Sequence, residues 1–395
     1  MIDHLGELTR QAAHAHGDRV ALVFEQRSFS FSEIDRLANR CANALRGIGV
    51  APGDRVSLYA GNSWQWVVGY HGVLKCGAVI NPINAMFTTD EVAYVLRDCG
   101  ARVIISSAER GAELAALRAT TPLEHVITFG GPEAAGTLDF ERFVSGQSED
   151  FIPVQRASED LSTIAYTSGT TGRPKGAMLS HRSVVLNTAL TATMHARTRL
   201  DTVVTALPCA HVYGNVVMNG CFMTGMTLVL MPRFDAGAAI ELIDRHRATM
   251  FEGVPTMYFY MLAHPSLQST RLESLTRCTV GGQTMPISKM EEVERRFGCP
   301  LIELWGMTEL GGLGTTHPVY GPRALGSIGV AMPYVECRIA DLEDAGIDKP
   351  TGEPGELLVR GPIVMEGYFN NETATRETIT ADGWLRTGDI AQRDA

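Results

Sequence analysis

The chain has 395 residues, too many for one ordinary core, so two or three domains or subdomains are expected. Hydrophobic residues at 45% and charged residues at 20% describe a folded globular protein and exclude a disordered or fibrous one. Forty-four acidic residues against thirty-four Lys and Arg give a net charge of −10 with no long basic run, which argues against nucleic acid and anionic membrane as partners.

From residue 20, VALVF and SFSF read as a hairpin-like pair, followed by a helix over 33–48 with Ser32 as its N-cap and a strand over 55–59. A helix near 64–76 precedes AVIN, a helix near 90–99 precedes RVIIS, and HVITF and TIAYT are further apolar strands. The rhythm resumes with a helix over 184–193, the strand VVTAL, an apolar segment over 216–223, the strand TLVLM and a helix over 238–247. Such alternation predicts mainly parallel sheets covered by helices. After Gly321 helical periodicity fades, and VECRIA and GELLVRG, set between Gly and Pro turns, predict a small β-rich unit. The expected fold is therefore α/β, with two packed subdomains over 1–180 and 181–320 and a small barrel-like β-rich subdomain over 321–395.

Apolar runs are too short or too interrupted to supply the ~20 residues that span a bilayer. The start, MIDHLGELTR, lacks the basic and apolar regions of a signal peptide. The cysteines at 41, 76, 99, 209, 221, 278, 299 and 337 show no C-x-x-C spacing, which argues against a zinc site or a disulfide framework. A reduced, cytoplasmic protein is expected.

The strongest local signal is YTSGTTGRPKG at 166–176, which follows an apolar strand. Gly169, Gly172 and Gly176 let backbone N–H groups approach a ligand, Thr167, Ser168, Thr170 and Thr171 supply hydroxyl donors, and Lys175 adds a point charge. The set suits a polyphosphate. A Walker A loop is excluded by spacing, and the residues after Lys175 read as strand rather than helix. Further along, Trp305 offers a flat face for a base, and Thr308 and Glu309 follow it with a hydroxyl and a carboxylate suited to Mg²⁺.

YTSGTTGRPKG resembles the phosphate-loop signature of the adenylate-forming superfamily, which includes acyl-CoA ligases, peptide-synthetase adenylation domains and luciferases. Three further motifs stand in that family's order: LWGMTE at 304–309, the run from Gly355-Glu356-Leu357 to Gly367-Tyr368, and GWLRTGD at 383–389. The resemblance spans essentially the whole chain. It implies that Thr167 to Gly172 and Lys175 hold phosphates, and that Gly281, Gly282 and Gln283 line the adenine and the acyl pocket. It further implies that Trp305, Gly306 and Met307 flank the nucleotide, that Thr308 contacts the α-phosphate, that Glu309 holds magnesium and that Asp389 binds ribose. His211 matches a histidine beside the substrate carboxylate, although Ala210 replaces the aromatic residue common before it. His211, Thr308, Glu309 and Lys175 are the implied catalytic set.

His211, Val212, Tyr213, Asn215 and Gly281 are the implied acid-binding residues. Tyr213 and Asn215 either meet a ring substituent or turn inward. The 212–223 segment contains no acid, where an amino-acid-activating domain usually carries an aspartate, so a plain carboxylic acid is expected. The family's small C-terminal domain, with its lysine, has no counterpart in these 395 residues, so the chain resembles the large N-terminal domain, with slow turnover on its own.

The implied function is an ATP-dependent carboxylic acid–CoA ligase that forms an acyl-adenylate with release of pyrophosphate and then a thioester. The implied small-molecule partners are the acid, ATP with Mg²⁺, and coenzyme A; a homo-oligomer is compatible. A fatty or other hydrophobic acid is the first substrate choice, and an aryl acid of the 4-coumarate type follows. The rival readings are a non-catalytic nucleotide- and acid-binding domain and transfer to a carrier-protein thiol.

Overall fold

The computed structural model describes residues 4–167 and 173–394. Strands alternate with helices in the expected order and assemble into two large sheets and one small one. In the eight-stranded sheet, Leu161–Thr167, Val79–Pro82, Arg55–Tyr59, Val103–Ser107, His125–Phe129 and Leu138–Asp139 run parallel. Lys175–Ser180 returns antiparallel to Leu161–Thr167, so the phosphate-loop segment connects the two arms of a hairpin. In the nine-stranded sheet, Val20–Phe24, Thr227–Leu230, Thr202–Thr205, Met250–Gly253, Arg277–Val280 and Leu301–Met307 are parallel neighbours. Glu336–Ala340, Gly355–Arg360 and Leu385–Ala391 form a separate antiparallel sheet. This is the expected α/β architecture with its small β unit.

Sheet membership does not follow chain order at two places. The Val20–Phe24 and Arg27–Ser30 hairpin joins the nine-stranded sheet, with Leu22 paired to Leu228. Near the other end, Gly367–Tyr368 covers the edge of the eight-stranded sheet by pairing with Met178 and Ala177. Both additions occupy backbone groups that an open edge would leave unpaired.

One local expectation is corrected and another is extended. The helix Phe31–Gly47 starts before residue 33, and its cap is Ser30 rather than Ser32, with Ser30 Oγ accepting from Glu33 N at 3.1 Å. Burial of Phe31 and Ile34 sets this earlier start. The apolar segment over 216–223 belongs to a longer helix, Val212–Thr224, capped by His211. Among the described residues no helix is long and apolar enough to cross a membrane. All eight cysteines are free thiols, including Cys278 and Cys299 with sulfurs 3.7 Å apart.

One continuous core runs between the sheets, joining Leu58 and Ile80 on one side to Val203 and Leu228 on the other through Val67, Leu74 and Val216 of the intervening helices. His71 lies inside it, 1% exposed, with its ring 4.8 Å from that of Phe222 and neither nitrogen hydrogen-bonded among the described residues. Desolvation, aided by Lys75, lowers its pKa to about 3; desolvation and then His4 lower that of His181 to about 4. Unfolded histidines titrate near 6.5, so below that pH the unfolded chain binds more protons than the native one. Stability should therefore fall as pH drops from 6.5 toward 4, by up to ~1.4 kcal/mol per pH unit for each such histidine. Urea unfolding across this range should show His71→Leu removing about one proton from the slope; an unchanged slope would mean that His71 is charged inside the fold.

Candidate active site

The parallel registers bring the ends of four strands of the nine-stranded sheet to one level. Thr205 pairs with Glu252, Gly253 with Val280, and Val280 with Glu303, so the residues that follow emerge side by side. They include the loop to His211, Val254, the turn at Gly281 and Gly282, and Leu304–Trp305, where the strand Leu301–Met307 runs on. The carboxyl edge of an open α/β sheet is where ligands bind in such folds. Glycines make the crowding there feasible. A Cβ on Gly281 would lie 2.2 Å from Leu304 Cδ1, and one on Gly306 would lie 2.1 Å from Gly312 O. Gly282 has φ +86°, a left-handed conformation that favours glycine. Gln283 follows it, exposed.

Two buried asparagines pin the loops that carry the candidate residues. Asn62 Nδ2 donates to Leu207 O at 3.0 Å and Met231 O at 3.1 Å, and its Oδ1 accepts from Cys209 N at 2.8 Å, which fixes the approach to His211. Asn187 Nδ2 donates to Leu310 O at 3.0 Å and Leu313 O at 2.8 Å, while Oδ1 accepts from Leu313 N at 3.1 Å. That second set holds the turn directly after Thr308 and Glu309. Neither asparagine was singled out from the sequence, because each makes its bonds to backbone remote in the chain.

Glu309 is 6% exposed, and no cation among the described residues pairs with it; Tyr368 Oη donates to its Oε1 at 2.7 Å. Lys175 begins the second arm of the phosphate-loop hairpin, opposite Thr167, with Nζ 5.1 Å from the Tyr368 ring centroid. No carboxylate among the described residues pairs with Lys175. Ser168, Gly169, Thr170, Thr171 and Gly172 lie outside the described residues.

Trp305 Nε1 donates to Asp389 Oδ2 at 2.8 Å, joining two sequence candidates 84 positions apart. Glu356, from the GEL motif, orients that partner. It accepts from Arg386 Nε and Nη2 at 3.0 and 2.8 Å and from Gly388 N at 3.0 Å, so the Arg-Thr-Gly-Asp turn is built on a carboxylate of the neighbouring strand.

His211 is solvent-accessible, yet the surrounding protein lowers its pKa by desolvation. Its Nδ1 accepts from Tyr213 N at 3.3 Å, which places the proton of the neutral ring on Nε2, a donor for an oxyanion. Val212 is buried. The polar groups of Tyr213 and Asn215 are hydrogen-bonded within the protein. Tyr213 Oη bonds Thr279 Oγ1 at 2.5 Å, and Asn215 Oδ1 accepts from Tyr70 Oη at 3.2 Å and Asn219 Nδ2 at 2.8 Å. Both turn inward because buried polar atoms need partners. Behind Tyr213, Thr279 donates to Glu252, whose carboxylate meets Arg197 Nη2 at 2.8 and 2.9 Å, both side chains fully buried. Gly220 leaves room for that guanidinium, since a Cβ there would stand 2.6 Å from Arg197 Nη1.

Among the described residues no group of three or more His, Cys, Asp or Glu side chains could hold a metal ion. A metal at Glu309 would therefore share its coordination with a ligand. Hard oxygen donors and a buried carboxylate without a cation fit Mg²⁺ held partly by phosphates.

The model of a family described as AMP-binding enzyme matches residues 8–369. A long-chain-fatty-acid–CoA ligase of Bacillus subtilis strain 168 is 30% identical over 419 residues, covering 99% of this chain and 74% of that protein. An anthranilate CoA ligase, AuaEII, solved with anthranoyl-AMP, superposes with TM-score 0.94 at 28% identity, covering 99% of this chain and 76% of that one. The inhibitor-bound N-terminal domain of FACL13 from Mycobacterium tuberculosis superposes with TM-score 0.90 at 29% identity, covering 99% of this chain and 97% of that one.

Replacing Asn187 by Leu keeps its volume and strips partners from Leu310 O, Leu313 O and Leu313 N. With buried polar groups left unpaired, stability should fall by about 3 kcal/mol in urea unfolding. A loss below about 1 kcal/mol would mean that water takes over the bonds and that the turn does not depend on the amide.

Proposed function

The chain belongs to the AMP-binding enzyme family, and from that membership we propose that it activates a carboxylic acid with ATP as an acyl-adenylate for transfer to coenzyme A. One observation carries this reading. Glu309, a buried carboxylate on a turn, and Lys175, a cation at the start of a strand, reach the same tyrosine, and neither has a charged partner among the described residues. A ligand bearing both phosphates and a divalent cation would satisfy the two together.

In this reading Trp305, Gly306, Met307 and Gly281 to Gln283 receive adenine, and Asp389, held by Trp305 Nε1, accepts from the ribose hydroxyls. Thr167, Lys175 and the loop from Ser168 to Gly172 take the outer phosphates, and Thr308 donates to the α-phosphate. Glu309 would hold Mg²⁺, which supplies charge neutralisation on the phosphates when bound. An oxygen of the acid attacks the α-phosphorus as the bond to pyrophosphate breaks. The thiolate of coenzyme A then attacks the acyl carbon, and AMP leaves with the bonding electrons. His211 Nε2–H donates to oxygens that gain charge in these steps, a preorganised contribution typical of such sites.

The acid we propose is hydrophobic, aliphatic or aryl. The relatives include a ligase for long-chain fatty acids and one for anthranilate, and the polar atoms of Tyr213 and Asn215 are engaged within the protein. We place the activity in the cytoplasm, where the eight free thiols would stay reduced.

Calorimetry with Mg-ATP and AMP tests the assignment. Lys175→Ala and Glu309→Gln should each weaken Mg-ATP binding by about tenfold or more, the size of a charge-assisted contact, and leave AMP within about twofold. Trp305→Ala should weaken both nucleotides. Equal losses of ATP and AMP in the Lys175 and Glu309 variants would remove the outer-phosphate and metal roles.

A further inference from the structure

Tyr368 occupies a position that none of the motif roles uses. Its hydroxyl donates to Glu309 Oε1 at 2.7 Å, and Lys175 Nζ stands 5.1 Å from the centre of its ring. One side chain thus touches the carboxylate assigned to the metal and the cation assigned to the outer phosphates. It is 7% exposed and sits in the two-residue strand that closes the eight-stranded sheet.

Its frame is fixed on every side. Glu366 N donates to Met178 O at 2.9 Å and Phe369 N to Gly176 O at 2.8 Å, tying the residues around it to the arm that begins at Lys175. Met365 N donates to Glu309 O at 2.8 Å, tying the same segment to the backbone of the carboxylate. Tyr368 N donates to Thr375 Oγ1 at 2.9 Å, and Gly367, with φ +138°, has no space for a side chain, since a Cβ would lie 2.8 Å from Thr375 Cγ2. Lys175 begins a strand of the eight-stranded sheet and Glu309 sits in the turn after a strand of the nine-stranded sheet, and this short segment is bonded to both.

We propose that Tyr368 is a positioning residue that sets the separation and orientation of Lys175 and Glu309, so that a triphosphate and its divalent cation are bound as one unit. The proposal rests on the nucleotide reading given above. The hydroxyl engages Oε1 and so orients the carboxylate, leaving Oε2 to face a cation. The ring face holds the ammonium near the phosphates without neutralising it, as a carboxylate in that place would. A neutral aromatic with a hydroxyl meets both requirements. Phenylalanine would meet only the second, and leucine neither.

Tyr368→Phe and Tyr368→Leu in the 395-residue chain separate these parts. Binding of Mg-ATP, of ATP in excess EDTA and of AMP is measured by calorimetry, with Mg²⁺ titrated at fixed ATP. For Tyr368→Phe, Mg-ATP affinity should fall about five- to tenfold and the Mg²⁺ midpoint should rise by a similar factor. Metal-free ATP and AMP should stay within about twofold. Tyr368→Leu should additionally weaken metal-free ATP, through Lys175, while AMP stays unchanged. A merely structural tyrosine would lower AMP and ATP affinity together, and that pattern overturns the proposal. Wild-type behaviour of Tyr368→Phe also overturns it, leaving the nucleotide reading intact if Lys175→Ala and Glu309→Gln still discriminate ATP from AMP. Failure of the unsubstituted chain to bind Mg-ATP would overturn both.

Discussion

The side-chain amide of Asn187 is the joint on which the candidate site depends. It replaces three backbone partners that Leu310 and Leu313 cannot find elsewhere, because the chain there reverses from the strand Leu301–Met307 into the antiparallel strand Gly312–Thr316. Gly311 at φ +64° and Gly312 at φ +157° make the reversal sterically accessible, and a Cβ on Gly312 would lie 2.4 Å from Asn187 Oδ1. The amide carries both the donors and the acceptor that these backbone groups need. Glu309 is carried on the turn so fixed. Asn62 repeats the device on the loop that leads to His211. In both cases the strands supply the direction of the loop and a buried amide supplies its shape.

Charge is treated in two different ways inside this protein. Arg197 and Glu252 are fully buried and face each other, and Lys75, with no exposed surface, pairs with Asp35 at 2.7 Å. Burial of ions demands such compensation, because a lone charge in the interior costs several kcal/mol in typical cases. Glu309 and Lys175 depart from that pattern. Tyr368, which is neutral, touches both, and among the described residues neither has a charged partner. Departures from good internal pairing concentrate where a protein acts.

Much of this was legible in the chain itself. The alternation of apolar strands and amphipathic helices specified an α/β fold because the periods of 2 and 3.6 residues are local properties of the backbone. The density of glycines and hydroxyls around Lys175, and the sequence of Trp305, Thr308 and Glu309, pointed to phosphates, a base and a metal because these residue types have that chemistry wherever the chain places them. The helix starts two residues before the position its sequence suggests, since Ser30 and Ser32 are equally good caps locally and the burial of Phe31 decides between them.

Other features exist only in three dimensions. That Trp305 meets Asp389, that Glu356 builds the turn beneath it, and that Tyr213 and Asn215 spend their polar atoms on Thr279 and on Tyr70 and Asn219 are consequences of strand register and helix packing. Asn62 and Asn187 carry no motif that marks them as part of a site, because the loop groups they bond lie 123 to 169 residues away, and the motif that ends at Tyr368 does not reveal its contact with Glu309, 59 residues away. Sequence determined which chemical groups this protein possesses and the layers it folds into. Tertiary structure decided which of those groups face one another and which charges lack a charged partner among the described residues, because both depend on contacts between distant segments that no local pattern encodes.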